Sequence, residues 1–201
     1  TVAKAISDPV TEVDTVEIVD TEQTIKIHDL LRHTAGFTYG FFGNSPARQK
    51  LKESGIGNLN AMDISLKDFV SQLAKLPLAY QPGKHWEYGR SVEVLGHLME
   101  VVSGQKLDSF MATNIFEPLN MVDTAFWVPK EDWSRIAEPL PNSGEPNLIN
   151  VTQQPKLLSG GHGLVSTVGD YLRFCQMMLN GGVLDGTRVL SSKTVHYITA
   201  N

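Results

Sequence analysis

The run Gln81-Pro82-Gly83-Lys84-His85-Trp86-Glu87-Tyr88-Gly89-Arg90-Ser91 makes the chain stop, turn and restart. Proline lacks an N–H and glycine accepts positive φ, so Pro82-Gly83 ends any preceding helix. From Ser91 to Val102, the apolar residues Val94, Leu95, Leu98, Val101 and Val102 recur at helical spacing, and Gly104 closes the run. Tyr88 is therefore expected on a loop just before a helix N-terminus, where partial positive charge favours an anion. Its phenol is either a working base or an aromatic packed into the turn whose hydroxyl finds a partner.

The same punctuation divides the rest of the chain. Residues 1–24 alternate β-branched and polar types, as in Val13-Asp14-Thr15-Val16-Glu17-Ile18-Val19, and predict a hairpin or edge strands. Thr24 is placed to cap a short helix over 25–32 with Ile27, Leu30 and Leu31 on one face, and Gly36 suits the left-handed position after it. A glycine- and aromatic-rich stretch over 37–60 contains one short helix near 45–53. Ser65 caps a helix to Leu76, and a further helix covers 106–115. After a Pro- and Asn-rich loop, Gly160-Gly161-His162-Gly163 predicts a close backbone approach, and Ser166 or Thr167 caps a helix to Leu179. Asp185-Gly186 predicts a hairpin turn, and Ser191 caps a last helix.

Composition excludes several classes. The chain has 201 residues, a net charge of -5 and no basic stripe, which argues against a nucleic-acid partner. No apolar run approaches the roughly 18 residues that span a bilayer. The single Cys175 excludes an internal disulfide framework and reads as a buried thiol. None of the six histidines forms an i, i+4 pair beside a glutamate, so no metal site is expected, and no cofactor is implied. No P-loop lysine accompanies Gly160–Gly163. The one formal Ser-x-x-Lys, Ser103 to Lys106, is split by Gly104 and reads as a corner between helices. The chain starts at Thr1 and stops just past a helical pattern, so both ends read as cut points and compartment stays unassigned.

Taken in order, the segments resemble a known family. Residues 27–37, reading IHDLLRHTAGF, look like the "DLLxHTSG" segment of the serine β-lactamase and penicillin-binding-protein-like superfamily. Residues 82–104 are similar to its Pro-Gly to Tyr-x-Asn to Leu-Gly block, residues 116–121 to its "IFxPLGM" turn, and residues 160–174 to its "GGxGLxSTxxDxxRF" segment. The likeness is to the class C β-lactamase-related, esterase-like branch. It implies an α+β protein: a mostly helical subdomain of the β-lactamase/transpeptidase-like fold over 25–165, preceded by the 1–24 hairpin or edge strands and returning into part of its α/β domain over 166–201.

The resemblance also implies roles. Tyr88 aligns with the tyrosine that takes the proton of a nucleophilic serine. A phenol with an ordinary pKa of about 10 is a poor base unless a neighbouring cation stabilises its anion. The motif reads Tyr88-Gly89-Arg90 where the family has Tyr-Ser/Ala-Asn. Arg90 either holds a substrate carboxylate or amide or folds out to solvent. His162 stands where the family has a small residue and is a candidate to reach the cleft. Tyr39, with Phe41 and Phe42, either walls an acyl or alcohol pocket or simply packs. His33 is expected to hold its turn by its ring nitrogens. The family's Ser-x-x-Lys and its glycine-containing third motif are missing from this sequence, and Lys193-Thr194-Val195 is no substitute. The expected function is therefore part of a serine hydrolase acting on an ester, amide or β-lactam through a Ser acyl-enzyme, inactive as this chain alone. Carboxylesterase ranks first, β-lactamase or D-amino-peptidase next. The rival is a non-catalytic binding module on the same fold. Oligomeric state is not legible.

Overall fold

Turn chemistry sets the boundaries of nearly every element in the computed structural model, which describes residues 2–7, 14–41, 43, 45–57, 63–140 and 148–200. Strands β1 (Val2–Ser7) and β2 (Asp14–Val19) pair antiparallel, with Val2 opposite Val19 and Ser7 opposite Asp14. Helices α1 (Ile27–Leu31), α2 (Pro46–Glu53), α3 (Leu66–Leu73) and α4 (Ser91–Ser103) follow. The chain continues through α5 (Leu107–Met111) and α6 (Val168–Leu179), the two-residue strands β3 (Val183–Leu184) and β4 (Thr187–Arg188), and α7 (Ser192–Thr199). This is an α+β chain dominated by helix.

Packing divides it into two compact units: Thr1–Val102 with Lys156–His162, and Ser103–Pro155 with Gly163–Asn201. In the first, β1 runs beside α2. Its buried apolar residues include Leu30, Leu51, Ile56, Leu66, Phe69 and Leu73. Ser65 caps α3 by accepting from the Asp68 N–H at 3.1 Å.

Helix α1 is shorter than its sequence pattern. Residues 24–26 stay irregular, and the Asp29 carboxylate accepts from the Lys26 N–H at 2.9 Å and the Thr34 hydroxyl at 3.3 Å. Only Leu30 of the expected apolar face is buried, while Ile27 and Leu31 are exposed. Helix α4 departs further: its buried residues are Ser91, Glu93 and Gly96, and Val101 and Val102 are exposed. A glycine loop explains this face. A Cβ on Gly160 would stand 2.3 Å from the Val92 carbonyl oxygen and 3.3 Å from Gly96 Cα, so only bare backbone on both sides permits the approach.

In the second unit Phe116, Leu119, Met121, Met177 and Leu184 form the core, with Ile115, Phe174 and Val189 packed against it. The turn after α5 widens to i→i+5 bonding, with the Glu117 N–H on the Ala112 carbonyl at 2.9 Å. Thr167 caps α6 through the Asp170 N–H at 3.2 Å. The Asp170 carboxylate in turn accepts from the Thr124 hydroxyl and the Asp123 N–H, both at 2.8 Å. Asp185 and Gly186 both adopt positive φ, 49° and 82°, which joins β3 to β4 in the turn their sequence predicts. Cys175 is half-buried rather than buried, because the α6 face it shares with Tyr171, Leu172 and Leu179 is largely open.

Leu119 is fully enclosed. Leu119→Ala is expected to lower unfolding free energy by about 2–5 kcal/mol, read by chemical denaturation; a loss below about 1 kcal/mol rejects this cluster as the core.

Candidate active site

The Tyr88 loop is stitched to the 33–37 segment by three backbone bonds of 2.8 Å: Ala79 N–H to Gly36, Gly83 N–H to Thr34 and Glu87 N–H to His33. Gly36 has φ +87°, and a Cβ there would meet the Tyr80 carbonyl at 2.2 Å. The residue before Tyr88 is anchored from the side. The Glu87 carboxylate accepts from the Thr38 hydroxyl at 2.5 Å and from Arg48 Nη2 at 2.6 Å. Arg48 lies on α2, so a largely buried ion pair fixes this side of the loop. The residue after Tyr88 is fixed by space. A Cβ on Gly89 would stand 2.3 Å from the Phe37 carbonyl and 2.6 Å from Thr38 Cα, which accounts for glycine where serine or alanine was expected.

Between these anchors Tyr88 is 46% exposed and projects from the loop that enters α4. Its ring lies 5.0 Å from His33, 5.3 Å from Tyr39 and 6.3 Å from Trp86, the last nearly parallel at 17°. His33 holds its turn by backbone, at φ 55°, and its Nδ1 has no partner among the described residues. Tyr39 is 8% exposed. Its ring stacks on Phe41 at 4.9 Å, and the Arg90 guanidinium lies 4.3 Å from its centroid. Burial, then the Glu93 charge, push the Tyr39 phenol up to about 12.

Arg90 does not fold out to solvent. It is 3% exposed, donates from Nη2 to the Gly57 carbonyl at 2.6 Å, and pairs with Glu93 at 3.4 Å. Glu93 is 0% exposed and also accepts from the Ser159 hydroxyl at 3.3 Å. Burial raises the Glu93 carboxyl, but the neighbouring His162 and the Arg90 charge outweigh it and hold the group below its ordinary value. Burial likewise pulls Arg90 below its ordinary value, against the pull of Glu93. His162 Nδ1 sits 2.7 Å from Ser159 Oγ and 3.8 Å from Glu93. A Cβ on Gly161 would stand 2.8 Å from Glu93 Oε1, so the glycine loop admits the carboxylate. Ser159, His162 and Glu93 do not form a hydrolytic triad: serine and carboxylate approach the same ring nitrogen, and Ser159 is buried.

The structure thus gathers Tyr88, Tyr39, Arg90 and His162 into one chain of contacts through Glu93. Sequence reasoning missed Glu93, Ser159 and Glu87. An opposite-charge pair three residues apart, Arg90 and Glu93, was the available signal, although such pairs are usually solvated. Phe42 lies outside the described residues. Ser103 ends α4, Gly104 has φ +69° and Lys106 precedes α5, so this serine and lysine share no helical face. Lys193-Thr194-Val195 lies within α7, not on a strand. The second unit has a cavity of about 460 Å³ walled by Trp127, Val128, Ile136 and Val165, and none of the predicted site residues line it. Among the described residues no cluster of His, Cys, Asp and Glu is grouped to hold a metal ion. No helix of the described residues is long and apolar enough to cross a membrane.

Comparison with known proteins gives a consistent picture. The family described as Beta-lactamase matches residues 5–197. Protein Rv1367c of Mycobacterium tuberculosis is 32% identical over 179 residues, 86% of this chain and 43% of its own length. The lovastatin esterase of Penicillium rubens is 30% identical over 175 residues, 80% of this chain and 41% of its own. The chain therefore spans about two fifths of the length of these relatives. Among solved structures, EstCE1, a hydrolase with promiscuous acyltransferase activity, superposes with a TM-score of 0.68 at 24% identity, over 85% of this chain and 49% of that one. That likeness places the chain's fold within the β-lactamase/transpeptidase-like class.

The depressed Glu93 carboxyl has a consequence for stability. Its contribution is full above the ordinary value of 4.5 and is lost as pH falls through the lower folded value. Glu93→Gln, which leaves Arg90 without its counter-charge, is expected to cost about 3–5 kcal/mol at pH 7 and to remove that acid-sensitive component. Thermal melts between pH 2 and pH 7 read both effects, on the scale over which carboxylates titrate, roughly two units either side of the ordinary value. A variant that melts like wild type at pH 7 rejects the buried pair.

Proposed function

The chain belongs to the beta-lactamase family, and from that premise we propose that it supplies the base of a serine hydrolase, with Tyr88 in that role. The nucleophilic serine and its lysine come, in this reading, from a Ser-x-x-Lys segment outside these 201 residues. The observation that carries the reading is the setting of Tyr88. It is half exposed at the entrance to α4, anchored on both sides, with its ring packed among those of His33, Tyr39 and Trp86.

The chemistry follows from that setting. The Tyr88 oxygen takes the proton from the serine hydroxyl as the serine oxygen bonds to the acyl carbon. The tetrahedral centre collapses, the alcohol departs with the proton returned by Tyr88, and the acyl group stays on serine. Water then repeats the sequence, with Tyr88 accepting its proton, and the acid is released. Exposed Trp86, stacked beside Tyr88, and exposed Phe41, stacked on Tyr39, supply an apolar wall. A carboxylesterase fits this wall best, and the esterase names among the relatives agree with it. Arg90, engaged with Glu93 and Gly57, serves the interior in this reading rather than a substrate carboxylate.

A serine-directed fluorophosphonate is expected to label the longer protein and to leave the 201-residue chain unlabelled, read by intact mass. In the longer protein Tyr88→Phe is expected to lower kcat/KM on an aryl ester by about 10²–10⁴-fold with its Tm retained. Near-normal turnover removes Tyr88 from the mechanism. Absence of any adduct on the longer protein favours the other reading, a binding module on the same fold.

A further inference from the structure

The cavity of about 460 Å³ in the second unit shares no residue with the surroundings of Tyr88, and its size and lining are those of a small-molecule site. Backbone bonds fix its walls. Ala125 and Val165 exchange bonds of 3.1 and 2.8 Å, and the Val128 N–H donates to the Val151 carbonyl at 2.7 Å. These strands of chain, with the 3₁₀ helix over Lys130–Arg135 and the residue after it, present Trp127, Val128, Ile136, Ile149 and Val165 to the space. The hydroxyls at its edge are already engaged. Ser166 Oγ lies 2.8 Å from Thr124 Oγ1, and Thr167 Oγ1 accepts from the Asp170 N–H at 3.2 Å. The cavity is therefore built to bind rather than to react.

Its charged edge selects the sign of the ligand. Among the described lining residues, the carboxylates of Asp123, Asp132 and Glu138 stand against the single guanidinium of Arg135. That guanidinium is committed. Nη1 and Nη2 donate to the two Asp123 oxygens at 2.7 and 2.5 Å, and Nη1 also donates to Asp132 at 3.1 Å. An anionic ligand must displace these bonds and then meets a surplus of carboxylate. A cation meets that surplus directly, and the indole of Trp127 adds a π-system that attracts positive charge.

We propose that this cavity binds an organic ammonium ion carrying an apolar group, with that group against Val128, Ile136 and Val165 and the ammonium beside Trp127 and the Asp123, Asp132 and Glu138 carboxylates. The site stands independently of Tyr88 as a base. Its apolar walls supply most of the affinity, and the carboxylates supply the selectivity. The charges lie toward water, with the Arg135 and Asp132 side chains 50% and 38% exposed, so the selectivity is modest and sensitive to salt.

The test is calorimetric titration of the longer protein with three probes of one shape: 4-phenylbutylammonium, 4-phenylbutan-1-ol and 4-phenylbutanoate. The expected order of affinity is ammonium, alcohol, carboxylate, with about tenfold between the first two at low salt and a narrower gap at high salt. Asp132→Asn combined with Glu138→Gln is expected to close most of that gap and to leave alcohol binding within about twofold. Ile136→Trp fills the cavity and is expected to abolish binding of all three probes while turnover of an aryl ester is unchanged. Should Ile136→Trp fold poorly, the methyl resonances of Val128 and Val165 carry the same test, since they are expected to shift as the ammonium is added. Carboxylate binding as tight as that of the ammonium overturns the proposal, as does a gap that survives the double substitution. Binding that persists in Ile136→Trp, unmoved methyl resonances, or no heat at about 10 mM ammonium, where a site of millimolar affinity is filled, overturns it equally.

Discussion

The ion pair between Arg90 and Glu93 is the constraint on which the first unit's architecture rests. Both side chains are almost wholly removed from water. Desolvating two charges costs several kcal/mol per ion, and their attraction offsets this only when further hydrogen bonds are supplied. Here they come from the Gly57 carbonyl and Ser159, with His162 Nδ1 3.8 Å from the carboxylate. These partners sit on two segments remote from α4 in sequence. The pair consequently ties the start of α4 to the loop after α2 and to the glycine loop at 156–162, and it orients the ring of Tyr39. An apolar pair of equal volume could fill the space, but it would not specify which segments meet there.

Much of the local structure was legible because it depends on few residues. Ser65, Thr167 and Ser191 cap the helices that their positions predict. Asp185-Gly186 turns the last hairpin, and Gly160 makes the close approach its neighbours suggested. The face of α4 was not legible. Aliphatic spacing pointed to Val94, Leu98, Val101 and Val102, whereas Ser91, Glu93 and Gly96 are buried. A periodicity argument scores hydrophobicity and cannot score a carboxylate whose burial is offset by an arginine one turn before it and by a serine and a histidine brought from elsewhere in sequence. Helix α1 differed for a related reason: Asp29 turned inward to hold backbone and Thr34, leaving Ile27 and Leu31 outside.

The candidate site divides in the same way. Tyr88 was visible from its place between a Pro-Gly turn and a helix start, and from the order of the flanking segments. Its supports were not. Glu87 and Arg48 are 39 residues apart, and His162 and Glu93 are 69 apart. Contacts of that range depend on how loops cross, and a sequence window holds no information about crossings. Arg90 shows the difference most sharply. As a residue type in a motif it suggested a substrate ligand or a solvent-facing cation; as a neighbour of Tyr39 and Glu93 it is part of the interior.

The contact between Gly89 and the Phe37 carbonyl bears on how this site can change over time. A serine at 89 demands that the 37–38 backbone retreat, and that backbone carries Thr38, which is bonded to Glu87. An asparagine at 90 strands Glu93 in the interior. The three-residue motif is therefore not an interchangeable cassette. Its middle and last letters are held by two separate sets of partners, one on each side of the tyrosine. A lineage moving between this form and the Tyr-Ser-Asn form must cross intermediates that are either overcrowded or carry an uncompensated charge. Such a valley favours keeping whichever form was reached first.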